Sequence, residues 1–134
     1  HYDELGGTLG ETLLTPTKIY VKALSALMAK VKVHGISHIT GGGYYENIPR
    51  MLPDGVFACI EKSRVPVLPI FRLLQTVGNI PERDMFNTFN MGTGLCIAVA
   101  PEQADEAVRI LKEAGEQALI LGEVKTGEKG VTLC

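Results

Sequence analysis

The run Ile36-Ser37-His38-Ile39-Thr40-Gly41-Gly42-Gly43 is where this chain concentrates its means of holding an anion. Three consecutive glycines lose much backbone entropy on folding and give no side chain to a core. They serve where the backbone must take positive φ, or where another group must approach closely. Ahead of them, Ile36 to Thr40 is rich in β-branched types and reads as a short strand. Behind them, Tyr44 to Asn47 reads as a short helix that Pro49 stops. Strand, glycine turn and helix start, in that order, can turn free N–H groups toward a phosphate. The same glycines can also make a plain tight turn, and the residues alone leave both readings open.

A second glycine constellation, Thr88-Phe89-Asn90-Met91-Gly92-Thr93-Gly94, sits between a helix and an apolar strand. Asn90 can hydrogen-bond a ligand there, or cap the preceding helix. If the strand before Gly41 and the strand after Gly94 run antiparallel side by side, both loops meet at one sheet edge and line one cleft. His38 shares a strand face with Ile36 and Thr40 and reads as a structural histidine rather than an acid or base. His34, beside Gly35, reads as solvated. Lys18, Lys22 and Arg50 are candidate partners for an anion. No Ser-His-Asp set, carboxylate pair or cluster of metal-ligand type stands out.

The elements around these loops follow from periodicity and punctuation. Tyr2 to Gly10 reads as a loop or edge strand. Thr15 is the expected N-cap, with Pro16 at the first position, of a helix over Lys18 to Lys30. Its apolar face is Tyr20, Leu24, Leu27 and Met28. Gly55 to Ile60, Leu95 to Ala100 and Ala118 to Val124 read as strands. Pro69 to Val77, with Gly78 as C-cap, and Pro81 to Phe89 read as helices. Pro101 to Ala114 is the clearest helix, with Ala104, Ala107, Val108, Leu111 and Ala114 on its apolar face. The last third thus reads as β-α-β, with Val131 to Leu133 pairing back after a turn. The expected architecture is α+β: a mixed β-sheet with helices packed on its faces.

Composition bounds the function. A chain of 134 residues makes one domain with a self-sufficient core. It is 46% hydrophobic and 21% charged, with a net charge of −2. No global basic field draws in nucleic acid or anionic lipid, so phosphate recognition must be local. No apolar run is long enough to span a bilayer. Cys59, Cys96 and Cys134 lack metal-ligand spacing and argue against a disulfide framework; Cys59 and Cys96 read as small buried hydrophobes. The cytoplasm is the expected compartment, and a start at His1 suits a fragment.

Taken together, Leu13-Leu14-Thr15-Pro16-Thr17-Lys18-Ile19-Tyr20-Val21-Lys22, His34 to Gly43, Glu46-Asn47-Ile48-Pro49-Arg50 and Phe89 to Gly94 resemble the C-terminal half of the phosphoribosylformylglycinamidine cyclo-ligases, or aminoimidazole ribonucleotide synthetases. The likeness covers nearly the whole chain in order and spacing; Lys18 stands where an arginine is also usual. It implies that residues 1–134 are the C-terminal domain of a two-domain enzyme of purine biosynthesis. In such enzymes the N-terminal domain supplies most of the ATP and Mg²⁺ site, and the full-length protein is a homodimer. It also implies the reaction. ATP phosphorylates the formyl-amide oxygen of formylglycinamidine ribonucleotide, a neighbouring nitrogen closes the imidazole ring, and ADP and phosphate leave. The resemblance assigns Thr40, Gly41, Gly42 and Gly43 to a phosphate. It makes Asn47, Asn90, Gly92 and Gly94 cleft contacts and Arg50 a charge partner, with no metal ligand and no catalytic residue named. Related ATP-using enzymes share this architecture: formylglycinamidine ribonucleotide synthetase, selenophosphate synthetase, thiamine-monophosphate kinase and a hydrogenase maturation factor. A non-catalytic regulatory or assembly domain is the alternative from another class.

Overall fold

Two small sheets carry the chain, and the glycine loops hang from one end of the first. A computed structural model describes all of residues 1–134. The helices are α1 (Leu9–Leu13), α2 (Val21–Met28), α3 (Gly43–Asn47), α4 (Pro69–Gly78), α5 (Glu82–Thr88) and α6 (Ala104–Glu113). The strands are β1 (Val33–His38), β2 (Val56–Ile60), β3 (Leu95–Val99), β4 (Gly122–Thr126) and β5 (Gly130–Leu133). Strands β1 and β3 pair antiparallel with His38 opposite Leu95. The Ile39 N–H extends that ladder to the Gly94 carbonyl at 2.9 Å. The loop leaving β1 and the loop entering β3 therefore lie at the same sheet edge, as the antiparallel condition requires.

The other sheet has the order β4-β2-β5, with β4 antiparallel and β5 parallel to the central β2. Two elements of the sequence reading change here. Strands β3 and β4 belong to different sheets, so α6 is not a crossover within one β-α-β unit. Strand β5 does not pair back on β4, because both flank β2. The fourth strand also begins later than expected, at Gly122. The carbonyls of Ile120 and Leu121 instead accept from the Arg64 guanidinium and the Glu61 N–H, at 3.1 and 2.9 Å.

Two apolar clusters hold these layers. The larger contains Ile39, Tyr44, Ile48, Met85, Phe86 and Met91, and packs α3 and α5 against the glycine loops. The smaller contains Leu27, Val31, Ala107 and Ile110, with Val33, Ile97 and Val99 against it, and seats α2 and α6 on the first sheet. Helix α6 buries Ala107 and Ile110, which lie i and i+3 on one face.

Four local features depart from the sequence reading. Thr8-Leu9-Gly10-Glu11 closes a capping box on α1, where a loop or edge strand was expected. Residues 15–20 are not the first turn of a helix; they run as an irregular strap, and α2 starts at Val21. The strap is fixed by tertiary contacts, with Lys18 paired to Glu116. The left-handed residue ending α4 is Asn79 at φ 48°, after Gly78, since asparagine tolerates that conformation. Finally, Cys59 and Cys134 form a disulfide, with Cα atoms 6.6 Å apart. The parallel register of β2 and β5 brings together two cysteines separated by 75 residues. Cys96 alone is a free thiol, and burial pushes it up to about 12.

Candidate functional site

The first loop is built by a buried asparagine. Asn47, 3% exposed, directs its side-chain N–H₂ back into the loop. It donates to the carbonyls of Thr40, Gly41 and Gly43 at 3.3, 3.2 and 2.8 Å. Its side-chain oxygen accepts from the Arg50 guanidinium at 3.2 Å, and its own carbonyl accepts from the Ser37 hydroxyl at 2.8 Å. Three carbonyls thus face inward onto one amide. The N–H groups of Thr40, Gly41 and Gly42 take no backbone acceptor.

The three glycines have different reasons to be glycine. Gly42 and Gly43 have φ of 95° and 56°, a region that costs other residues energy. A Cβ on Gly43 would lie 2.0 Å from the Phe86 carbonyl oxygen. Gly41 has neither reason: a Cβ there meets nothing within 4 Å, and the residue is exposed.

The second loop is a β-turn closed by the Thr93 N–H on the Asn90 carbonyl at 2.8 Å. Its central residues, Met91 and Gly92, both have positive φ, 54° and 100°, the hairpin-type pattern that asparagine and glycine favour. Asn90 caps this turn with its side-chain oxygen, which accepts from the Gly92 N–H at 2.9 Å. It does not cap α5, whose last N–H contact comes from Phe89 to the Met85 carbonyl. Tyr44 joins the two loops. Fully buried and edge-on to Phe86 at 5.1 Å, it donates its hydroxyl to Thr93 at 2.6 Å. Burial pushes that phenol up, so it stays a neutral donor.

Between the loops and the strap lies a cavity of about 300 Å³, lined by Thr17, His38, Thr40, Gly41, Thr88 and Asn90 over Ile39, Phe71 and Phe89. Its lining has hydroxyls, an amide, an imidazole and an exposed glycine backbone, and no carboxylate. A larger hollow of about 400 Å³, beside α6, contains no residue of either glycine loop.

Over residues 1–134 the sequence matches the family described as AIR synthase related protein, C-terminal domain. The chain belongs to that family. Among curated proteins, the phosphoribosylformylglycinamidine cyclo-ligase of Lachnospira eligens is 58% identical over 135 residues, 100% of this chain and 40% of the relative. That of Lachnoclostridium phytofermentans is 57% identical, with the same coverage. That of Bifidobacterium longum subsp. infantis is 52% identical over 132 residues, 98% of this chain and 38% of the relative. The chain therefore spans about 40% of the length of the curated relatives it matches. The resemblance read from the TPTKIYVK, HITGGG, ENIPR and FNMGTG segments is thereby shown, as is the α+β class.

In this AIR synthase C-terminal domain the residues singled out from sequence divide by position. Thr40, Gly41 and Asn90 line the cavity. Gly42, Gly43 and Asn47 stand behind its wall and shape the first loop; Gly92 and Gly94 shape the second. Arg50 lies outside the lining, held by Asn47 and 4.0 Å from Glu46. Thr17 and Phe71 line the cavity unforeseen, and Thr88 and Phe89, named only as the lead-in to the second glycine loop, line it as well. Only Thr17 and Phe89 lay inside segments that carried the family likeness. Lys18, a candidate anion partner, is drawn to Glu116, which holds its ammonium above the usual lysine range.

Gly94 has a steric task that the sequence did not show. A Cβ there would sit 1.8 Å from the Tyr20 hydroxyl, so the strap closes against this glycine. Gly94→Ala should lose about 1–3 kcal/mol of stability by overpacking. Combining it with Tyr20→Phe should recover part of that loss. Thermal melts of the wild type, both single variants and the double variant check this; a double variant no more stable than Gly94→Ala would rule the contact out.

Proposed function

We propose that this chain is the C-terminal domain of an ATP-dependent cyclo-ligase that converts formylglycinamidine ribonucleotide to aminoimidazole ribonucleotide in purine biosynthesis. The observation that carries the reading is Gly41. It is exposed on the cavity, has no steric or φ requirement of its own, and lies in a run of amides with no backbone acceptor. A glycine with no internal reason to be one fits a backbone that a ligand approaches closely. The relatives' names supply the ligand class, a phosphorylated ribonucleotide. Thr40 and the Gly41–Gly43 loop then receive a phosphate of the substrate or the transferred phosphoryl group. Asn90 lies across the cavity to hold a polar atom of the substrate. Asn47, Gly92 and Gly94 act by holding the loops, and Arg50 acts through Asn47.

The catalysis this arrangement supports is positioning and charge neutralisation by fixed N–H donors. No three His, Cys, Asp or Glu side chains converge in the structure, and no carboxylate lines the cavity. Mg²⁺ would be held by ATP's phosphates and by residues outside this chain, in the N-terminal domain. The full-length enzyme, in this reading, is a homodimer with no nucleic-acid or membrane partner, and in the cytoplasm, where thiols are kept reduced, Cys59 and Cys134 would be held as a thiol pair. No helix here is long and apolar enough to cross a membrane.

The test is ATP-dependent formation of aminoimidazole ribonucleotide by the full-length polypeptide, wild type and Gly41→Val. The wild type should form the product. The variant should melt close to the wild type, since a Cβ at Gly41 meets nothing within 4 Å, and lose about 10- to 100-fold in kcat/KM, because the side chain would hold a phosphate off the backbone N–H groups and cost roughly one charge-assisted hydrogen bond. A full-length wild type without this activity would refute the reading. Unchanged kinetics in Gly41→Val would remove the phosphate from this loop.

A further inference from the structure

The cavity lining contains one imidazole, that of His38, and the loop reading left it without a task. His38 ends β1, is exposed, and lines the cavity beside Thr40 and Gly41. The other lining side chains are hydroxyls, an amide, aliphatics and aromatics, none of which exchanges a proton readily at pH 7. The ring has a defined neighbour. Tyr20 from the strap sits edge-on to it, with centroids 5.9 Å apart. The Tyr20 hydroxyl in turn lies against Gly94, in the space a Cβ there would fill. The strap, the second loop and the end of β1 thus converge on one imidazole.

We propose that His38 is the proton acceptor of the ring closure, oriented by Tyr20. This rests on the function proposed above. In that step the attacking nitrogen forms a C–N bond to the carbon bearing the phosphorylated oxygen. The C–O bond breaks and inorganic phosphate leaves with that oxygen. The nitrogen must also shed a proton, and the neutral imidazole takes it. Because the ring is exposed, the proton passes to water before the next turnover. Thr40 and Gly41, whose N–H groups have no backbone acceptor, line the same cavity as His38, so a phosphate held there and the base share one cavity. Tyr20 is a positioning residue.

The titratable and charged groups around His38 are few. From the strap, the Tyr20 phenol faces it, raised by desolvation, with the Lys18–Glu116 pair close by. On β3, Leu95 stands opposite His38, whereas Cys96 pairs opposite Ser37, on the other face of the sheet. The loops and helices that line the cavity contribute no charged side chain to it.

The experiment uses the full-length polypeptide with formylglycinamidine ribonucleotide and ATP. His38→Gln and His38→Asn should fold normally, because the position is exposed, and should lose about 100-fold or more in kcat with KM little changed. The acidic limb of the kcat–pH profile, where the base is protonated, should disappear, and added imidazole should restore part of the rate. Tyr20→Leu should lower kcat several-fold and leave KM alone, as a positioning role requires. Either histidine variant within about threefold of the wild-type kcat, or keeping the acidic limb, overturns the proposal. A loss confined to KM overturns it too and makes His38 a binding residue. A wild-type polypeptide that makes no aminoimidazole ribonucleotide overturns the function reading itself, a result distinguishable from failure of the His38 assignment.

Discussion

Gly43→Ala is expected to cost this domain about 2–5 kcal/mol, a large share of the ~5–15 kcal/mol a folded domain commonly has. Two penalties add. The residue has φ 56°, where a side chain costs about 1–2 kcal/mol. Its Cβ would also sit 2.0 Å from the Phe86 carbonyl oxygen and 2.9 Å from that of Phe89. Both obstacles are backbone, at the end of α5, and cannot rotate away; overpacking of this kind costs about 1–3 kcal/mol. The contrast with Gly41 is the diagnostic one. Two residues of one glycine run should behave oppositely: Gly43→Ala is strongly destabilised and Gly41→Ala melts like the wild type. Urea titration of the two variants checks this. Equal stability would mean that α5 and the loop are not packed as described.

The glycine run shows how far a single sequence reaches. That Gly41–Gly43 lie between a strand and a short helix was legible, because β-branched residues before and Pro49 after bracket them. Which glycine serves packing and which faces the cavity was not, since the answer lies in Phe86 and Phe89, more than forty residues away. Strands β2 and β3 announce themselves by short apolar runs and helix α6 by helical spacing, whereas β1, read as Ile36 to Thr40, spans Val33–His38. The partition of the strands into two sheets does not announce itself, because pairing is set by long-range register. The strap at 15–20 was misread for a related reason. Thr15-Pro16 is a good local helix start, yet Lys18 is drawn to Glu116 and Tyr20 to Gly94, and those contacts outweigh a weak propensity. Helix α1 was a different kind of miss, because the Thr8-x-x-Glu11 capping box was visible in the sequence. The Cys59–Cys134 pair left no local trace, being a product of the β2–β5 register.

Asn47 makes the sharpest case for a residue whose type follows from the loop. Asn47→Ala removes one buried donor group and leaves the Gly41 carbonyl without a protein donor. A loss of about 1–3 kcal/mol follows, and with it the shape of the first glycine loop, so kcat/KM of the full-length polypeptide should fall as well. If Asn47 touched substrate instead, the alanine variant would lose activity at unchanged melting temperature. Asn47→Asp separates the two further. It keeps the size of the side chain but replaces the donor with a carboxylate oxygen facing the carbonyls of Thr40, Gly41 and Gly43, which sit 2.8–3.3 Å from the present nitrogen. Arg50 would gain a charged partner, but Arg50 is largely exposed, and a pair of that kind is worth about 0–1 kcal/mol. An acceptor-only group on the buried Asn47 position, forced against three carbonyls of which the Gly43 one is buried, costs more than that. The aspartate variant should therefore be less stable than the alanine variant, although it is the closer mimic of asparagine in shape. Chemical denaturation of the three proteins decides it, and an aspartate variant as stable as the wild type would show that Asn47 does not hold the loop through its amide nitrogen.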